Sequence, residues 1–255
     1  MPMSALNHEN LTRAPAHIGP QNGPQQPPRN IPNSTCPAPR TRPKNQGDAH
    51  TNKQPNKARL RANICITSQN VNGASAPSKN ISYRDKWRKI SDTIHTEKIA
   101  ILVIQESHLD QQMAEQLGRN FEKNLKILNS ADPDNPQATA GVSFIINRQL
   151  IDPDEMEMHK LILGRAAILK IRWLKTCIAT ILNVYAPNNR SEHTGFWAKI
   201  LTNRQSKCLP IPDLTLGDFN VTEDAIDRMP PRLDDESVIA ALREVRHKWE
   251  IRDTW

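Results

Sequence analysis

The chain has 255 residues, with 34 Lys/Arg against 27 Asp/Glu, a net charge of +7 and four cysteines. Cys36, Cys65, Cys177 and Cys208 lie far apart without paired spacing, which excludes a zinc ribbon and a disulfide framework and fits a reducing compartment. No apolar run reaches membrane-spanning length and the start, MPMSALNHENLTRAP, lacks the apolar core of a secretory signal, so the expected location is intracellular, the nucleus included, with no membrane partner.

Residues 1–57 hold eleven of the twenty prolines and no Phe, Trp or Tyr. They carry seven Lys/Arg against two Asp/Glu, so most of the net charge sits there. Such a stretch cannot bury enough apolar surface to offset its ordering entropy, and the expectation is a disordered, basic, Pro-rich tail before a domain over 58–255. The first strand is expected around Ala62 to Ser68, closed by a polar turn at Gly73. In DKWRKISDTIHTEK, Trp87, Ile90 and Ile94 fall on one helical stripe with charges opposite. Ile99 to Ile104 shows no alternation, which suits a strand covered on both faces. A short helix over Gln111 to Phe121 and a strand near Leu125 to Leu128 follow, and NSADPDNPQATAG then leads into VSFIIN. AAILKIRW alternates as a half-exposed strand does, and CIATILNVYAP is another mostly apolar run. Ser191 is the expected N-cap of a helix carrying Phe196, Trp197 and Ile200. DLTLGDFN reads as a strand, and Asp234-Asp235-Glu236 opens a last helix through Trp249. Strands alternate with helices, with hairpin-like pairs in the middle, so sheets covered by helices are expected rather than a simple doubly wound fold.

Four apolar strands end in a short polar cluster: Asn70 and Asn72; Glu106 and His108; Tyr185 with Asn188 and Arg190; Asp218 and Asn220. Each cluster alone reads equally well as turn chemistry or packing. Their recurrence matters because strand ends along one sheet edge converge in space. Two carboxylates, several carboxamides and a phenol together describe a hard-cation site, since Mg²⁺ binds through one or two carboxylates plus waters and substrate phosphates.

QNVNG, IQESH, NVYAPNNR and LGDFNVTEDAIDR, in this order, resemble the endonuclease/exonuclease/phosphatase superfamily, the deoxyribonuclease I-like proteins, over roughly residues 60 to 255. The wording is most similar to the apurinic/apyrimidinic-type endonuclease domain of fungal non-LTR retrotransposons. The resemblance implies an α+β fold, a four-layered α/β/β/α sandwich, and hydrolysis of phosphodiesters with Mg²⁺ or Mn²⁺. It places Glu106 at the metal, with Asn70 beside metal and phosphate. Tyr185 stands near the scissile phosphate, Asp218 at the attacking water and Asn220 on phosphate. Asn188, Asn72 and Arg190 fall among the phosphate-binding positions, with Asn72 where many members have Asp. His108 reads as local support, and Arg165 as a surface residue in preference to a phosphate contact.

The resemblance also implies a C-terminal Asp-His pair after two further strands, whereas this sequence ends at IRDTW. None of the eight histidines stands in such a context. The fold is therefore expected to be incomplete at the C-terminus. Two readings stay open: a divalent-metal-dependent endonuclease domain, ancestrally cutting DNA and impaired by the missing motif, and a catalytically dead relic that binds nucleic acid.

Overall fold

The computed structural model describes residues 64–73, 83–173 and 177–252. The tail expected over 1–57 lies outside the described residues. Eight strands and four α-helices follow in chain order: β1 (Cys65–Asn70), α1 (Tyr83–Thr96), β2 (Ile99–Gln105), α2 (Gln111–Asn120), β3 (Leu125–Ser130), β4 (Val142–Asn147), β5 (Glu157–Ile162), β6 (Ala166–Trp173), β7 (Cys177–Tyr185), α3 (Arg190–Ser206), β8 (Leu214–Asp218) and α4 (Glu236–Trp249). Among the described residues no helix is long and apolar enough to cross a membrane.

The strands form two four-stranded sheets, ordered β1-β2-β4-β3 and β5-β6-β7-β8. Each has one parallel pair at the same side: β1 with β2, which sets Asn70 opposite Gln105, and β7 with β8, which sets Tyr185 opposite Asp218. The remaining neighbours are antiparallel.

Alternation along β2 explains the layering. Ile101 and Val103 point between the sheets, where they meet Phe144, Ile146, Leu169 and Ile181. Leu102 and Ile104 point outward into a cluster with Trp87 and Ile94 of α1 and Leu117 of α2. Both faces are therefore apolar and every residue of β2 is buried. The second sheet repeats the scheme on its outer face, where Ile168, Leu182 and Val184 pack against Phe196, Trp197 and Ile200 of α3 and Leu242, Val245 and Trp249 of α4. The result is a helix–sheet–sheet–helix sandwich, the α+β fold class expected.

Three local expectations need correction. β6 is not half-exposed: Ala166 to Leu169 are all buried, because this strand lies inside its sheet with a covered face on each side. Lys170 and Arg172 alternate outward. β5 was not foreseen, since EMHKLI shows neither clean alternation nor an unbroken apolar run and is drawn into the sheet by antiparallel pairing with β6. The N-cap of α3 is Asn189, whose side chain accepts from Ser191 N, so Ser191 sits inside the first turn instead of capping it. Asp235 caps α4 by accepting from Ser237 N, in line with the acidic start read there.

Candidate active site

Parallel pairing brings the ends of β1 and β2 together in one sheet, and those of β7 and β8 in the other. Asn70, last in β1, joins the two. Its Nδ2 donates to Glu106 Oε1 at 2.8 Å and to Asp218 Oδ2 at 2.9 Å, although 148 positions separate Asn70 from Asp218. The two carboxylate oxygens are thus no more than 5.7 Å apart, the sum of those two bonds. Asn70 Oδ1 accepts from Asn72 N at 3.0 Å, which fixes which way the amide faces. A flip would turn oxygen toward two anions.

Tyr185 is buried, and its hydroxyl donates to the Glu106 carboxylate. Burial, that hydrogen bond and the charge of Glu106 push its phenol up to about 12. It therefore remains a protonated donor at neutral pH. Arg165 is not a free surface side chain: its guanidinium stacks over the Tyr185 ring, 4.9 Å from the centroid.

Asp218 is held on both oxygens, since Oδ1 accepts from Asn220 N at 3.1 Å. Asn220 uses one amide N–H on Ala186 O at 2.7 Å, which ties it to the end of β7. His108 Nε2 lies 4.0 Å from Glu106 Oε2. Its ring packs on Gly73, where a Cβ would stand 2.7 Å from Nδ1. Asn72, Glu106, His108 and Asn220 all have left-handed backbones, with φ between 44° and 51°. Conformations that cost non-glycine residues on the order of 1 kcal/mol each are gathered where the polar groups converge.

Two other expected residues stand apart. Asn188 is exposed in the loop between β7 and α3. Arg190 opens α3, and its guanidinium meets Asp235 at 3.1 Å instead of the carboxylate pair.

Asp218 lines a cleft of about 480 Å³ together with Asn70, Asn220, Thr222 and Arg228, and Glu106 adjoins it through its bond to Asn70. Among the described residues no group of three His, Cys, Asp or Glu is arranged to hold a metal ion. A hard cation needs fewer protein ligands than that. All the converging donors are oxygens or carboxamides. Carboxylate oxygens no more than 5.7 Å apart repel each other. One amide dipole offsets only part of this, so the site fits a divalent cation.

Several contributors were missed. Asn183, fully buried in β7, donates to Ile104 O at 3.0 Å and Ser143 O at 3.1 Å and accepts from Gln105 Nε2 at 2.8 Å. It bolts the second sheet to β2 one residue before Glu106. Its signal was a lone carboxamide in the mostly apolar run CIATILNVY. Gly217 has φ +144°, and a Cβ there would lie 1.9 Å from Val184 O. An isolated glycine inside a strand was the available sign of such a close approach. His193 of α3 hydrogen-bonds the backbone of Phe219, between Asp218 and Asn220; burial pushes its imidazole below the ordinary value.

This architecture is the deoxyribonuclease I-like sandwich. No protein-family model matches the chain, and no curated protein matches it in sequence. Among solved structures it is similar to an AP endonuclease from Archaeoglobus fulgidus, at 16% identity over 72% of this chain and 70% of that one, with a TM-score of 0.51. It is also similar to an AP endonuclease from Leishmania major, at 12% identity, covering 73% of this chain and 66% of that one, with a TM-score of 0.54. At these identities the likeness is one of fold.

Proposed function

We propose that this chain belongs to the endonuclease/exonuclease/phosphatase superfamily and is a divalent-metal-dependent phosphodiester hydrolase acting on DNA. The wording of its four motifs further supports descent from the endonuclease of a non-LTR retrotransposon. The observation that carries the proposal is the Asn70 bridge, which joins Glu106 of one sheet to Asp218 of the other beside the Tyr185 hydroxyl.

Glu106, with the Asn70 carboxamide beside it, would hold Mg²⁺ or Mn²⁺. When bound, the cation would polarise a phosphoryl oxygen and offset charge on the leaving oxygen. The residues supply the rest. Asp218, fixed on both oxygens by Asn70 and Asn220, keeps lone pairs to accept a proton from an attacking water. The second amide N–H of Asn220 is available to a phosphate oxygen, its first being taken by Ala186 O. Tyr185, protonated and half-committed to Glu106, orients that carboxylate and the phosphate beside it.

A second reading, binding without turnover, is favoured by one observation. Among the described residues the imidazole next to the carboxylates is that of His108, wedged on Gly73, and no histidine lines the cleft. Protonation of the leaving oxygen has no imidazole donor there.

Nicking of supercoiled plasmid separates the two. Hydrolysis is expected with Mg²⁺ or Mn²⁺, lost with chelator and reduced at least ~10²-fold by Glu106→Ala or Asp218→Asn. Plasmid left intact by a folded protein that still binds DNA would retire the hydrolase reading in favour of the binding one.

A further inference from the structure

The segment between β8 and α4 carries three of the most exposed large apolar side chains among the described residues: Ile226 at 83%, Met229 at 97% and Leu233 at 69%. It is nonetheless a built loop. The Asp234 carboxylate closes its neck by accepting from Thr222 N at 2.7 Å, Thr222 Oγ1 at 3.1 Å, and Arg228 Nε and Nη2 at 3.0 and 2.6 Å. Burial pushes this carboxyl up, but the hydrogen bonds from Arg228 and Thr222 outweigh it and hold the group below the usual carboxylate range. Glu223 ties the same loop to Arg243 and Arg246 of α4. The Arg232 N–H closes across it onto Ala225 O at 3.2 Å.

Arg228 lines the cleft that holds Asp218 and Asn220. Asp234 takes the Nε and Nη2 edge of its guanidinium; the three other N–H donors remain, on a side chain 31% exposed. A cleft of about 480 Å³ has room for a nucleotide-sized ligand, beyond a lone phosphate. Arg228 therefore offers a second, directional anion contact in the same cleft, held in place by a carboxylate that fixes the fork. Met229, next to it, and Ile226, two positions before it across Asp227, are the apolar groups held out in solvent. An arginine flanked by exposed aliphatic side chains matches a ligand that alternates phosphates with flat apolar rings.

We propose that loop 222–234 is a strand-binding element, in which Arg228 takes a phosphodiester neighbouring the one at Asp218 while Met229 and Ile226 pack against the adjacent base. The inference rests on the nucleic-acid reading above and deepens it. Asp234 is a positioning residue: it acts on the ligand only through Arg228. The exposed Asp224 and Asp227 on the same loop restrict where the backbone can run, so the contact is directional and does not amount to a general basic patch.

The test is binding of the full chain to a fluorescein-labelled oligonucleotide in chelator, read by anisotropy across a salt series. Arg228→Gln should make the slope of log K against log salt shallower by about 0.9 for duplex or about 0.7 for a single strand, one phosphate's worth. Met229→Ala should weaken binding with the slope unchanged. Replacing single phosphates by methylphosphonates locates the contact: one position should weaken the wild type and leave Arg228→Gln indifferent. Arg232→Gln removes an equal charge from the same loop and should keep that position-specific sensitivity. If Arg228→Gln melts below the wild type, Arg228→Lys keeps the charge and should restore the sensitivity. Identical methylphosphonate profiles for wild type and Arg228→Gln, or identical behaviour of the Arg228 and Arg232 variants, would overturn the proposal while leaving the nuclease reading intact. Absence of any salt-dependent DNA binding by the wild type would sink both. Tighter binding to anionic vesicles than to the oligonucleotide would assign the loop to a lipid surface instead.

Discussion

Asn183→Leu tests whether the distance between the two halves of the site is set by a polar bolt or by apolar packing alone. The substitution nearly preserves volume and removes three hydrogen bonds, to Ile104 O, Ser143 O and the Gln105 side chain. At about 1 kcal/mol net each, the bonds account for ~3 kcal/mol. The Gln105 amide, 1% exposed, is left without that acceptor and adds roughly 1–2 kcal/mol. Burial of the leucine returns roughly 1–2 kcal/mol. The net loss is about 3 kcal/mol, a large share of the 5–15 kcal/mol typical of a domain and worth roughly 10 °C in Tm at this size. Urea unfolding followed by tryptophan fluorescence would read it, because Trp87, Trp197 and Trp249 are all buried. The double variant Gln105→Leu/Asn183→Leu should recover about 1 kcal/mol relative to the sum of the single variants, since no orphaned amide remains. A single variant within ~0.5 kcal/mol of wild type, or strictly additive losses, would show that the sheets are positioned without this network.

Gly217→Ala places a Cβ against Val184 O at a backbone angle that L-residues avoid, so β8 should detach and soluble yield or Tm should fall sharply; a wild-type melt would refute the close approach. Tyr185→Phe should lower plasmid nicking by ~10²-fold, and the wild-type rate profile should show no tyrosine inflection up to pH 10, because the phenol is raised to about 12. An inflection near pH 9–10 that vanishes in Tyr185→Phe would contradict this. Burial lowers the His193 pKa, so the unfolded chain takes up a proton first as pH falls below the ordinary 6.5. Stability should be complete above that pH and decline beneath it, and His193→Gln should flatten the Tm–pH curve there.

Much of this was legible before any coordinates. β2 could be read because six unbroken apolar residues leave no choice but burial on both faces, and α4 because an acidic cap precedes a regular stripe. The convergence of Asn70, Glu106, Tyr185 and Asp218 was legible because these residues follow apolar strands, whose ends a sheet must collect. What escaped depended on partners that are remote in sequence. EMHKLI becomes β5 only by pairing with β6, and AAIL is buried on both faces because its strand lies inside the sheet, which the polar Lys170 and Arg172 after it disguised. Arg165 looked like a surface cation until the Tyr185 ring was placed beneath it. Arg190 sat in a phosphate-reading motif, yet its partner is a helix cap 45 positions away.

The left-handed backbones at Asn72, Glu106, His108 and Asn220 imply that heat resistance and chemistry make opposing demands on the same few codons. A laboratory selection for thermal survival alone would treat these positions as defects and drift toward glycine, which adopts the angle freely. The first such gain at residue 106 would erase the carboxylate while leaving every strand in place. Variants recovered from that selection would be sturdier and still fold as the same sandwich, with Asp218 left as the single carboxylate on Asn70. Under the proposed activity, a selection for DNA cleavage would instead tolerate the strain and accumulate its compensation elsewhere, in the helices that cover the outer faces.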